Sequence, residues 1–203
     1  MAYSDFSLKK AKAELGLEFI ERESLFNAIK PIEVSPYLEK TLTRNVPLAL
    51  AISSEKARSE LIVINVLLEV RELLHDKISF FSGIEFTVDK EKGLSGFCDY
   101  IISGSQEQFY LESPVIAIVE AKNENIIAGL GQCIAEMVAA QQFNQQEGTV
   151  IPVIYGIVTS GSEWKFLKLL GNQVFIDLEQ YFIKDVDKIL GIIVAMVENR
   201  FEK

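Results

Sequence analysis

The sequence predicts a mixed α/β fold, a single sheet with helices on both faces, from three observations. Nearly half of the 203 residues are apolar (49%), enough to bury one sizeable core. Short runs of strand character alternate with amphipathic helical stretches instead of segregating from them. One of these runs, 150–159, is almost continuously apolar, as expected of a strand covered on both faces.

Residues 5–30 read as helical, with Phe19, Ile20, Leu25, Phe26 and Ile29 at helical spacing. Pro31 and Pro36 interrupt this pattern, and 37–52 carry no decisive one, so 1–52 are expected to form a helical or irregular N-terminal appendage. The main domain is expected at 53–203. It opens with a helix to about residue 75, for which Ser54 is a suitable N-cap and Glu55 a favourable partner of the helix dipole. Leu61, Ile64, Leu67, Leu68 and Leu74 form its apolar side.

Three strands follow, at 78–88, 96–103 and 114–122, divided by polar or glycine-bearing turns. A helix is expected at 128–144, a buried strand at 150–159, and a hairpin of 163–170 and 173–178 around Gly171-Asn172. An amphipathic helix over 180–199 presents Ile183, Val186, Ile189, Leu190, Ile193 and Val197 on one side.

Composition excludes several chemistries. Two cysteines, Cys98 and Cys133, are too few for a disulfide framework, and a cytoplasmic setting is expected. His75 is the lone histidine, which removes zinc sites of the Cys/His type. No apolar run approaches the roughly 20 residues that span a bilayer, and the N-terminus lacks the basic-then-apolar pattern of a secretion signal, so no membrane partner is expected. Twenty basic against 29 acidic residues give a net charge of −9, which opposes long-range attraction of a polyanion. A nucleic-acid site in such a chain must be a local basic patch, a metal-filled acidic pocket, or a surface completed by a partner.

Against this background three polar residues stand out. Glu120 and Lys122 sit at i and i+2, and so on one face, at the end of the apolar run Val115-Ile116-Ala117-Ile118-Val119. A carboxylate and an ammonium there are costly unless they are paired, metal-bound or at the wet end of the strand. Asp99 interrupts the preceding apolar strand in the same way, and sequential strands are usually neighbours. Two converging carboxylates suit a hard divalent cation, and Lys122 can orient a water or stabilise developing negative charge.

Gly96-Phe97-Cys98-Asp99-Tyr100 followed by Val119-Glu120-Ala121-Lys122 resembles the PD-(D/E)xK nuclease superfamily, with its restriction-endonuclease-like fold, and an uncharacterised bacterial branch of it in particular. The likeness covers roughly 54–160 and includes the element order: a helix, a three-stranded meander, a helix and a further strand. It implies a restriction-endonuclease-like core at 53–203 and Mg²⁺-dependent (or Mn²⁺-dependent) hydrolysis of nucleic-acid phosphodiesters, DNA before RNA. Carried over by position, Asp99 and Glu120 become metal-binding carboxylates and Lys122 the catalytic lysine. Glu60 takes the place of an acidic residue on the first core helix that often joins the metal shell, and Gln132 that of a supporting glutamine on the helix after the lysine. Two departures stand: Cys98 replaces the proline before the aspartate, and Glu136 stands where a tyrosine often follows the glutamine.

Ordinary readings compete with these. Glu-x-Lys recurs at Glu163-Trp164-Lys165, read as a solvated strand face. Glu60 and Glu55 also suit a helix dipole, and Gln132 faces either the site or water. Cys98, next to Asp99, is expected on the opposite sheet face as a buried thiol. Gly129 and Gly131 lack any phosphate-loop spacing, although a phosphate-approaching turn fits them. Two rival functions remain: a catalytically silent nuclease-fold module acting through protein contacts, and a subunit that needs a homodimer or another protein to hold its nucleic acid.

Overall fold

A computed structural model describes residues 1–22 and 24–198; the last position of the helix expected over 180–199 lies outside them. The protein is α/β, with a mixed eight-stranded sheet flanked by helices. The strands are β1 (Glu18–Ile20), β2 (Ser79–Glu85), β3 (Phe97–Ser103), β4 (Val115–Ala121), β5 (Val153–Thr159), β6 (Glu163–Leu170), β7 (Gln173–Ile176) and β8 (Tyr181–Phe182). Their order is β1-β7-β6-β5-β4-β3-β2, with β8 paired to β6. Only β4/β5 and β1/β7 are parallel; the other pairs are antiparallel.

Two hydrophobic layers hold this sheet. On one face lie α2 (Pro36–Ile52), α4 (Ile64–Leu73) and α6 (Val186–Glu198), which contribute Leu38, Leu42, Val66, Leu67, Ile189 and Ile193. The other face is covered by α5 (Ile126–Gln146), with Tyr3, Phe6 and Ala11 of the N-terminal segment packed against it. Every residue of β4 is buried, as its continuous apolar run required. That strand is the central wall shared by both layers.

The chain departs from expectation in its first fifty residues. Residues 5–30 are not one helix: α1 spans only Leu8–Glu14, and Phe19 and Ile20 belong to β1, which pairs with β7. The apolar residues at helical spacing are instead half-buried positions of a short edge strand, Phe19 and Ile20, and of an irregular segment that holds half-buried Leu25 and Ile29 and buried Phe26. Pro36 does not interrupt a helix but begins one, at the first turn of α2, where its missing N–H costs nothing. Residues 1–52 thus add a strand to the sheet and side chains to both cores.

The first core helix is not uniform. α3 (Glu55–Arg58) runs into a π-helical turn at Ser59–Val63 and continues as α4. Ser54 caps it, accepting the Ala57 N–H at 3.1 Å. Two contacts pin its start over one end of the sheet: Arg58 Nη1 donates to the Ser160 carbonyl at 3.2 Å, and the Tyr100 hydroxyl of β3 donates to the Ser59 carbonyl at 3.2 Å.

Candidate functional site

The end of the sheet beneath α3 is where the polar intrusions meet. In the β3/β4 ladder Tyr100 pairs with Val119, which sets Asp99 across from Glu120 one step further on. There the ladder changes character: the Ala121 N–H donates to Asp99 Oδ2 at 2.8 Å, so a carboxylate takes the place of a strand carbonyl. The Asp99 and Glu120 carboxyl groups are close enough for the charge of one to act on the other, and two such groups can share a proton or a cation.

Glu120 is 1% exposed, and its Oε2 has no hydrogen-bond partner. Its Oε1 forms an ion pair with Lys122 Nζ. Burial first, and then the charge of Asp99, push the Glu120 carboxyl up to about 8, against the pull of Lys122. Burial likewise raises Asp99, opposed by the Ala121 N–H and by Lys122. Burial pulls the Lys122 ammonium down but is outweighed, by Glu120 first and by Glu55 and Asp99 after it, so the group is held above its ordinary value.

Helix α5 completes the enclosure. Asn125 caps it, accepting the Ala128 N–H at 3.3 Å. Gly129 and Gly131 lie inside this helix and form no turn; both serve close packing. A Cβ on Gly129 would stand 2.8 Å from Val158 Cγ1 and 3.0 and 3.1 Å from Lys122 Cγ and Cε, so the bare glycine is what lets the lysine stem lie against the helix. Gly131 gives the same close approach to the backbone of Phe6 and Ser7. One turn on, Gln132 faces inward: its Oε1 accepts from Lys122 Nζ at 3.3 Å, and its Nε2 donates to Glu136 Oε1 at 3.0 Å.

Asp99, Glu120, Lys122 and Gln132 are therefore brought together, and Glu60 is not. Glu60 lies in the π-helical turn with its side chain 64% exposed, 3.7 Å from Lys56. The helix carboxylate whose charge reaches Glu120 and Lys122 is Glu55.

Sequence reasoning also missed Glu136, which is fully buried, has an unpartnered Oε2, and is raised well above the usual carboxylate range by burial and then by Glu120. The signal was available, since Glu136 follows Gln132 by four positions on a helix otherwise lined with Ile134, Ala135, Met137 and Val138. Cys98 departs from its expected side: it is buried in the α5 layer, and burial and Glu136 push its thiol up. Cys133 is similarly buried and raised, which leaves neither cysteine suited to nucleophilic work.

The charge balance decides what this pocket can accept. Asp99, Glu120 and Glu136 surround one ammonium, with an orphaned carboxylate oxygen on Glu120. An excess of buried negative charge is satisfied by bound protons or by a cation. Among the described residues no three His, Cys, Asp or Glu side chains stand grouped to ligate a metal. A cation held by Asp99 and Glu120 would take its remaining oxygens from main chain, water or a phosphate, as Mg²⁺ commonly does. The donor set fits that ion.

Among the described residues no helix is long and apolar enough to cross a membrane. Compared with protein-family models, curated proteins and solved structures, the chain finds no match.

Proposed function

We propose that this protein is a Mg²⁺-dependent phosphodiesterase acting on nucleic acid, built on a restriction-endonuclease-like core. The observation that carries the reading is the convergence of Asp99, Glu120 and Lys122 at one strand end, with buried carboxylate charge in excess of the ammonium. The run from α3 through β5, a helix, a three-stranded meander, a helix and a strand parallel to the meander's last, supports it.

Asp99 and Glu120 would hold Mg²⁺ or Mn²⁺, and such an ion supplies stabilisation of the charge that develops on a phosphate during hydrolysis. The protein's own groups do the rest. The Ala121 N–H fixes the Asp99 carboxylate, and Gln132 gives the Lys122 ammonium a second acceptor besides Glu120. Lys122 stays protonated, donating hydrogen bonds to the attacking water or to a phosphate oxygen. Glu55, on the capped start of α3, reinforces the positive state of Lys122.

Supercoiled plasmid, single-stranded DNA and RNA incubated with Mg²⁺ or Mn²⁺ test the proposal. Cleavage should appear with metal, vanish with chelator, and fall by about 10²–10⁴-fold in Lys122→Ala. Absence of metal-dependent cleavage, or equal cleavage by Lys122→Ala, would overturn it. The net charge of −9 favours a second reading, in which a basic partner supplies the phosphate contacts. Salt-sensitive binding that arises only with that partner distinguishes this case, and a pocket that takes up no Mn²⁺ in titration marks a silent module.

A further inference from the structure

Glu136 is the least economical residue in the molecule. It is 0% exposed, sits midway along α5 among aliphatic neighbours, and leaves Oε2 without a partner. A methionine or leucine of similar size would fill the same space without the desolvation cost of a carboxyl group. Stability therefore does not account for it, and its one hydrogen bond shows what does. Glu136 Oε1 accepts from Gln132 Nε2 at 3.0 Å, and Gln132 Oε1 accepts from Lys122 Nζ at 3.3 Å.

A glutamine amide has nearly the same shape with its oxygen and nitrogen exchanged, so packing alone does not choose between the two orientations. Hydrogen bonding does. The Lys122 ammonium can only donate and so calls for the amide oxygen, and the NH₂ then needs the acceptor that Glu136 Oε1 supplies. Reversed, the amide would set its NH₂ against the Lys122 ammonium and leave Glu136 Oε1 without its donor.

We infer that Glu136 is a positioning residue: by fixing the amide of Gln132 it holds the Lys122 ammonium between two acceptors, Gln132 Oε1 and Glu120 Oε1. The hydrogen-bonded chain Glu136–Gln132–Lys122 spans one turn of α5 and the end of β4. The stem of Lys122 is confined separately, by the missing Cβ of Gly129. The lysine is thus gripped along its length by packing and at its tip by two acceptors. Its use in phosphodiester hydrolysis rests on the function proposed above; the positioning itself does not.

The test follows the lysine directly and needs no substrate. The ¹⁵Nζ and ¹³Cε resonances of Lys122 and the exchange rate of its ammonium protons are measured in the metal-free protein. Glu136→Met should shift the resonances and speed exchange about tenfold, as loss of a charge-assisted hydrogen bond requires. The same variant should unfold at a higher temperature than wild type, because a buried unpaired oxygen is gone. Glu136→Gln, which restores an acceptor, should return the wild-type resonances. Gln132→Met leaves Glu136 in place and should reproduce the Lys122 signature of Glu136→Met.

A folded Glu136→Met with unchanged Lys122 resonances overturns the inference. So does an unchanged signature in Gln132→Met, a result that can be read even if the position 136 variant does not fold. Where the wild type cleaves nucleic acid, Glu136→Met should lower kcat about tenfold with KM unchanged, and add nothing further in a Gln132→Met background. A protein that cleaves nothing but shows the Lys122 shifts leaves the positioning intact and removes only the phosphodiesterase reading.

Discussion

The chain contains Glu-x-Lys twice, and the two copies behave differently although they share one row of the sheet. Glu120 of β4 pairs with Val158 of β5, and Val158 pairs with Lys165 of β6, so the second lysine is two strands from the first carboxylate. At β4, Glu120 is buried, opposed by Asp99, and ion-paired to Lys122. At β6, Glu163 accepts from Gln180 Nε2 at 2.9 Å, and Lys165 Nζ donates to the carbonyls of Leu178 and Glu179 at 3.2 and 3.0 Å. Among the described residues the acidic groups acting on Lys165 are Asp177 and Glu179, beyond the end of β7 and not on a neighbouring strand, and burial outweighs them and leaves the Lys165 ammonium below its ordinary value, where Lys122 is held above. The three-residue pattern is therefore silent about chemistry. What separates the copies is the strand next door: Asp99 on β3 beside one, a carbonyl-lined turn beside the other.

The sharpest way to break this comparison is to remove each lysine. Lys122→Met should lower metal-dependent cleavage by about 10²–10⁴-fold, whereas Lys165→Met should leave initial rates within about twofold of wild type. Equal losses from the two would show that the row, and not the Asp99 neighbourhood, matters.

A pH series addresses the carboxylate. Glu120 in the folded protein titrates at about 8, above the ordinary 4.5. Across that window the folded state binds more protons than the unfolded one, so its stability is greatest at acid pH and falls as pH rises toward 8. In chelator, melting temperature should drop over this range, and Glu120→Gln should flatten the drop. The corresponding Glu163→Gln should leave the profile as it was. Addition of Mn²⁺ should offset the loss at high pH, by binding the folded state alone.

Packing effects are smaller. Gly129→Ala would press a methyl group into Val158 and the Lys122 stem, and denaturant unfolding should register a loss of about 1–3 kcal/mol. Lys165→Met gives up two hydrogen bonds to carbonyls while relieving a partly desolvated charge, and the same measurement should find about 1 kcal/mol or less.

Much of this was legible in the sequence, for identifiable reasons. β3, β4, α5 and β5 fall within a few residues of their expected bounds because their apolar runs are long and turn residues bracket them. Asp99, Glu120 and Lys122 stood out because polar residues inside such runs must be explained. Glu55 and Glu60 were ranked in the wrong order for a structural reason. The π-helical turn at Ser59–Val63 breaks the 3.6-residue period on which the choice of face depended, so Glu60 turns outward and Glu55 comes within range of the cluster. β1 was unreadable because a three-residue strand is too short to show a period of two. Glu136 was visible but unexplained, since its purpose depends on a partner, Gln132, whose direction only the packed helix reveals.

One contact separates what the fold needs from what the chemistry needs. Asp99 closes the strand ladder by taking the Ala121 N–H, so its loss strands a buried amide as well as emptying the pocket. Lys122 closes no ladder: its stem lies against the bare Gly129, and its ammonium serves only Glu120 and Gln132 within the pocket. A descendant of this sequence under no demand for activity would be expected to shed the lysine early and the aspartate late. Among related chains, then, an aspartate at this place testifies only to the architecture, while a lysine kept beside a bare glycine is the trace of a function still under selection.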